Sequence, residues 1–425
     1  MEIGLADNIK IETEVPILKV ISFRFSWEPN EHALLILDGY INNDVEFNQN
    51  QLSGTSVKIW LGAAGNSSNV ILFNGAITRL LKKSAGKVVT FHMVAKSGSI
   101  HLDFQIKRKS FQNVKETYAG VIRQLVRENG GNVICTSGTD RMMNMPVIQY
   151  EETTWAFIKR LASHLGTWVV ADIETGKPNV WFGLPKGDKI PSFLENEYTV
   201  YIQGGAQGGD NTISYEMESR QFYKIGDSTT CFGREMTVFS VLGNYEKGEL
   251  VFRYVMKNQL SSPMIYQQAF TGLGLKGIIK DVHEDQIKIA LDIDDGIPTG
   301  DYYYNWYPET GNSLYAMPEK GAHVVLMFCS ADERSAYAVH ALANRPEEAL
   351  CYQDRSLESI EGNSVCLYTG IIRLARGGKH SLTLGDGSVS ARTSRNVRIV
   401  ANGKIKLKAK RIVLDTPDEL NIYQG

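Results

Sequence analysis

The chain has 425 residues, 43% of them apolar and 22% charged, with a formal net charge of −2. That length exceeds one ordinary core and points to about three domains. The composition is globular, not disordered, and the near-neutral charge gives no overall pull towards nucleic acid or membrane. No apolar run approaches the roughly 18 residues of a membrane-spanning helix, and residues 1–7 lack the basic flank and apolar core of a secretory leader. Cys135, Cys231, Cys329, Cys351 and Cys366 are odd in number, widely spaced and without a CxxC pair. They predict isolated thiols in a reducing compartment, and so a chain made in a cytosol.

Residues 15–107 read as strands at 17–25, 33–41, 57–61, 70–73 and 88–94, separated by Asn, Gly and Ser clusters. Two helices are expected next. Over 113–129, Val114, Tyr118, Val121, Ile122, Leu125 and Val126 share one helical face, and Gly130-Gly131 supplies a left-handed stop. Over 153–165, Trp155, Ile158, Leu161, Ala162 and Leu165 form a second stripe, with a threonine to cap it and Gly166 to end it. Strand-like runs at 167–173 and 179–182 complete a small α/β unit. The pattern returns to β at 199–203, 235–242 and 250–255, with a glycine-rich loop at 204–209. The neighbouring acids Glu151 and Glu152 read as a helix start, where negative charge is favourable.

From Gly277 to Pro346 about five short strands and Gly/Pro turns succeed one another. Ile287, Ile289, Leu291 and Ile293 alternate with mostly polar residues, the mark of a strand with one buried face. A turn at Asp295, Gly296, Pro298 and Gly300 precedes Tyr302, Tyr303, Tyr304, Trp306 and Tyr307. This order predicts a small antiparallel barrel of the oligonucleotide/oligosaccharide-binding (OB) type. Beyond it, ten basic residues fall between Arg376 and Arg411 against the single acid Asp386. There Ile405, Leu407 and Ala409 alternate with Lys404, Lys406, Lys408 and Lys410. A lone ribbon of this kind cannot bury its apolar face. Three such ribbons wound into a prism can, and closure also hides the strand edges.

The barrel residues Gly277, Ile279, Lys288, Ile289, Asp292, Asp294, Trp306, Pro318, Gly321, Val325 and Phe328 resemble the barrel of the VgrG proteins and of phage cell-puncturing tail spikes. A second match lies in the helical unit: Tyr150, Glu151, Thr153, Thr154, Phe157, Arg160, Leu161 and Gly166 resemble a segment of the VgrG hub insert. The resemblance implies a mainly β fold with a small α/β insert, built as two hub β-barrel domains, an OB-like barrel and a C-terminal trimeric β-helical prism. The corresponding boundaries are 1–110 (first hub barrel), 111–190 (insert), 191–272 (second hub barrel), 273–346 (OB-like barrel), 347–375 (linker) and 376–425 (spike). Val397, Ile399, Ile405, Leu407, Ala409, Ile412 and Leu414 then form the trimer core, and Lys404, Lys406, Lys408 and Lys410 its solvated surface.

The resemblance further implies a homotrimeric hub–spike of a contractile injection system, whether type VI secretion, tailocin or phage-tail-like particle. Its partners are the inner tube protein, baseplate subunits, a PAAR-type tip protein and effector cargo, with transient contact to a target membrane. It is made in a bacterial cytoplasm and assembled into a particle. No cofactor, no metal, no nucleic-acid partner and no catalytic residue are expected. With only about thirty residues between Pro346 and Arg376 and the sequence ending at Gly425, the hydrolase or effector domain that some relatives carry is not expected.

Other patterns have plainer readings. Gly272–Gly277 matches G-x-G-x-x-G, but a strand comes next where a dinucleotide site needs a helix. Asp292–Gly296 lacks the glycine and glutamate spacing of a calcium loop. His283, His323 and His340 are too separated to form a paired zinc motif, and no G-x-S-x-G is present. The competing reading is a binding module in which the barrel and its tyrosines hold an oligosaccharide or nucleic acid. It leaves the basic ribbon without a purpose.

Overall fold

The structure, a computed structural model, describes residues 2–6, 9–42, 54–62, 69–191, 198–203, 212–231, 233–258, 260–309, 316–342, 355–359, 361–416 and 418–422. It is mainly β. The chain divides into two compact units, Met1–Asn344 and Arg345–Gly425.

In the first unit the strands before residue 98 and those between residues 198 and 257 form one twelve-stranded antiparallel sheet. The seam joins Ile17–Trp27 to Arg234–Glu246, in register from Val241↔Trp27 to Glu246↔Ser22. The segments expected as two hub barrels therefore share a continuous sheet and one apolar core, in which Phe25, Phe73, Phe252 and Tyr254 are fully buried. Alternation sets this arrangement: Val88–Ser97 turns every second side chain inward, as do residues 23–27, and two bulges shift the inward positions of the first strand to Ile17 and Val20. The glycine-rich loop expected at 204–209 lies outside the described residues.

The α/β insert has its own core. Helix α1 spans Tyr118–Glu128, and Thr117 accepts a hydrogen bond from the Gly120 amide at its start. It begins later than the apolar stripe suggests, because the Thr117 cap fixes the start and Glu116 turns back onto Asn113. Helix α2 spans Thr154–His164, capped by Thr153 accepting from the Ala156 amide. Gly130 (φ +79°) and Gly166 (φ +63°) come after the two helices in the left-handed region, as predicted from glycine's freedom there. The hairpin of Ile106–Phe111 with Val147–Thr153 links the insert to a further β module.

That module is a five-stranded sheet of Gly274–His283, Gln286–Leu291, Tyr303–Asn305, His323–Met327 and Tyr337–Leu342. Its two edges meet at a bridge between Trp306 and Ala338, with the Tyr307 amide donating to the Ala338 carbonyl at 3.0 Å. Its core holds Ile279, Ile287, Ile289, Leu291, Val324, Leu326 and Phe328. Residues 272–277 lead into a strand, not a helix.

The second unit is a five-stranded antiparallel meander from Arg355 to Thr393. Three of its strands, Arg355–Glu358, Asn363–Tyr368 and Ile371–Arg376, lie where a linker was expected. Two-residue turns at Thr369-Gly370 and Asp386-Gly387 close successive hairpins in the manner such turns favour.

Candidate assembly surfaces

Two surfaces decide how this chain can be used: a buried joint inside the first unit and an apolar face left open in the second.

The joint starts from a β-bulge. Register slips between Tyr150 and Glu152, and Glu151 takes φ +49°. The bulge re-aims two neighbouring acids in opposite directions. Glu151 turns outward to an exposed ion pair with Arg108, whereas Glu152 turns into the interior. The expectation that this acid pair marks a helix start is thus corrected: α2 begins at Thr154, and Glu152 is 7% exposed.

Arg160 of α2 meets Glu152 there, with Nη2 donating to Oε1 at 2.7 Å. Its Nη1 donates to Oε2 of Glu333, in the five-stranded module, at 2.6 Å, and its Nη2 reaches the Ile148 carbonyl at 2.8 Å. The guanidinium also lies against the rings of Phe157 and Phe270, at 5.1 and 5.5 Å. Arg160 is only 3% exposed, so its planar, multi-donor head is what makes burial tolerable. Burial pushes the Glu333 carboxyl up to about 7 despite Arg160, and it raises Glu152 as well. Burial likewise holds His164, one turn along α2, down to about 4, with Arg160 and Arg334 acting in the same direction.

Further bonds seal the same joint. The Asp294 carboxylate accepts from the Ser110 amide at 2.8 Å and from its hydroxyl at 2.6 Å. That use explains why the acid-rich turn at 292–296 is not a calcium loop. Gly300 packs so closely that a Cβ there would sit 2.0 Å from the Gln112 carbonyl carbon. Sequence reading reaches Arg160 and Asp294 through the resemblance alone. Nothing in the neighbouring sequence marks Glu152, between Glu151 and Thr153, or Glu333, between Asp332 and Arg334, as buried acids.

The tyrosine cluster divides between this module's interior and its surface, where Tyr307 is exposed. Tyr304 and Trp306 are core residues. Tyr303 donates its hydroxyl to Asp281 at 2.6 Å, and Tyr302 stands edge-on to Tyr304.

A Ser–His–Asp grouping occurs elsewhere. His32 Nδ1 lies 2.8 Å from the Ser99 hydroxyl and its Nε2 3.4 Å from Asp103. Ser99 is fully buried and shares its hydroxyl with Ser97, while Trp155 stacks on the imidazole. Burial holds His32 down to about 4. The group ties Asp103 to the α2 cap, where Thr153 donates to it at 2.5 Å. Among the described residues no cluster of three or more metal-binding side chains exists.

The second unit presents the opposite condition. Its register aligns Leu357, Val365, Leu374, Leu382 and Ala391 across the five strands. A second row, Leu367, Ile372, Leu384 and Val389, lies two residues along on the same face. The other face carries Ser356, Cys366, Arg373, Thr383 and Ser390 in one row, and mostly polar residues in the next. Of the nine apolar-face residues, eight are large and exposed, from Leu382 at 39% to Val389 at 71%. Covering the exposed half of each would contribute about 1 kcal/mol per side chain. Sequence reading missed this face, although the pairs Val365/Leu367, Ile372/Leu374 and Leu382/Leu384 show the period of two.

Beyond Thr393 no strand occurs among the described residues. Val397, Ile399, Ile405, Leu407, Ala409, Ile412 and Leu414, expected inside a trimer, are all exposed, as are Lys404, Lys406, Lys408 and Lys410. A single ribbon has no second face to pack against, and it forms no ladder by itself.

No protein-family model matches the chain, and no curated protein does. Solved structures do match. One is the E. coli c3393 protein, a type VI secretion component described as similar to the T4 phage tail proteins gp27 and gp5. It is 12% identical over 77% of this chain and 98% of that one, with a TM-score of 0.56. A chain of the lidded Francisella PdpA-VgrG complex is 9% identical over 88% of this chain and 76% of that one, at a TM-score of 0.57. In the lidless PdpA-VgrG complex the figures are 9%, 88% and 93%, at 0.56. The chain shares its fold with these type VI secretion and VgrG-complex structures.

Proposed function

We propose that the protein is the trimeric hub–spike of a contractile injection system. The observation that carries this reading is the nine-residue apolar face of the 355–393 meander, which has a polar reverse side and is open to solvent in one chain. Three copies that turn these faces inward make a closed prism that covers all nine residues and leaves the mostly polar reverse side, with Tyr368 and Ile371 at its edge, outside. The same closure gives Ile405, Leu407, Ala409, Ile412 and Leu414 an interior and leaves Lys404, Lys406, Lys408 and Lys410 in water. In this reading the twelve-stranded sheet forms the hub that caps the inner tube. The OB-like barrel is the collar between hub and spike, and a PAAR-type protein covers the tip. The work is mechanical: sheath contraction drives the spike through a target envelope, and the prism resists bending through interchain β bonding and a dry interior. The particle is assembled from subunits made in the bacterial cytoplasm, with baseplate proteins and effector cargo as further partners.

Electron microscopy of the purified full chain tests this directly. Threefold-symmetric particles with a protruding needle are expected; single-copy particles without symmetry would rule the reading out.

A further inference from the structure

The joint between insert and barrel holds an unbalanced charge. Glu152 and Glu333 bring two carboxylates to one guanidinium, and the three side chains are 7%, 2% and 3% exposed. With all three ionised, one net negative charge is sealed from water, a costly state that a single proton removes. The same site contains an orphan: Oε1 of Glu333 finds no protein donor, while its Oε2 takes the Arg160 bond. A neutral carboxyl tolerates that asymmetry better than a carboxylate does.

We infer that the Glu152–Arg160–Glu333 cluster is a proton-operated clasp between the insert and the barrel, closed when Glu333 takes up a proton and loosened when it gives that proton up. Glu152 arrives on the hairpin and Arg160 on α2, whereas Glu333 belongs to the barrel, so the bond being tuned crosses the joint.

The other groups around the cluster do not supply the same response. From α2, His164 stays neutral above about pH 4. Tyr118 of α1, 3.5 Å from His164, and the barrel's Tyr304 are both raised by burial, away from neutrality. On Glu333's own turn, Asp332 is held low by its bond to Arg334, which is raised in return. Asp294, at another point of the joint, is raised by burial, with its Ser110 bonds opposing, and lies outside both the cluster and the segments 148–164 and 328–336. Glu333 itself, pushed up to about 7 by burial, is the group whose proton changes hands near neutrality.

Linkage sets the direction. The closed joint binds a proton that the opened one releases above the ordinary carboxyl range, so closure is favoured towards acid. That advantage is lost as pH rises from about 4.5 to about 7. This inference does not depend on the trimer or on the injection reading.

Hydrogen exchange of the full chain, corrected for the intrinsic pH dependence of exchange, tests it. Peptides covering 148–164 and 328–336 should be about tenfold better protected at about pH 5.5 than at about pH 8.5. Glu333→Gln should be flat across that range and as protected as the acid form throughout. Glu152→Gln, which also balances the charge, should be flat too. Flat protection in the unmodified chain overturns the clasp, as does a pH response that survives both substitutions. If either variant fails to fold, the pH response of the unmodified chain decides alone.

Discussion

Arg160 and Leu374 mark the two kinds of order in this chain. The first is a cation at 3% exposure and the second an aliphatic side chain at 42%, the reverse of what their chemistry favours in water. Arg160 can be buried because every acceptor and ring it needs comes from the same polypeptide: Glu152, Glu333, the Ile148 carbonyl, Phe157 and Phe270. Leu374 is exposed because its register partners Val365 and Leu382 lie on the same open face, with no second layer among the described residues of the unit to cover them. The joint is complete within one chain; the 355–393 meander leaves its apolar face uncovered by its own strands.

The comparison breaks most readily at the open face. Leu374→Asp combined with Leu382→Asp should abolish association and bring the sedimentation mass down to that of one chain, leaving the unfolding of the first unit unchanged. At the joint, Arg160→Met leaves two buried acids without a counter-charge and should cost about 3–5 kcal/mol in urea unfolding monitored by tryptophan fluorescence. Adding Glu152→Gln and Glu333→Gln to it should recover much of that loss. Gly300→Ala forces a methyl into the backbone at Gln112 and should cost about 1–3 kcal/mol by the same measurement. Removing the α2 cap with Thr153→Ala should cost about 1 kcal/mol. Lys406→Ala, on the exposed ribbon, should shift stability by less than about 0.5 kcal/mol.

Much of the frame is readable in the residues, because local rules act alone there. Thr153 and Gly166 bracket α2 as capping chemistry predicts, and Ile287, Ile289 and Leu291 occupy a core as alternation predicts. The joint is less legible. Nothing local distinguishes Glu152 from Glu151; a bulge sorts them, and Arg160's second partner lies 173 residues away. The seam between Ile17–Trp27 and Arg234–Glu246 is equally non-local, and so the two hub segments read as separate domains. The 355–376 strands escape a linear reading because each is short and its pattern has meaning only across neighbours. Reading Val365, Leu374 and Leu382 as one row requires the register, which the turns at Gly370 and Gly377 set.

We propose that the C-terminal unit covers its apolar face with other copies of itself. Light scattering on the full chain and on a chain ending at Pro346 addresses it most directly. The account predicts a full-length mass near three times 47.4 kDa, falling towards a single chain or becoming heterogeneous on truncation. A stable, soluble full-length monomer would contradict it.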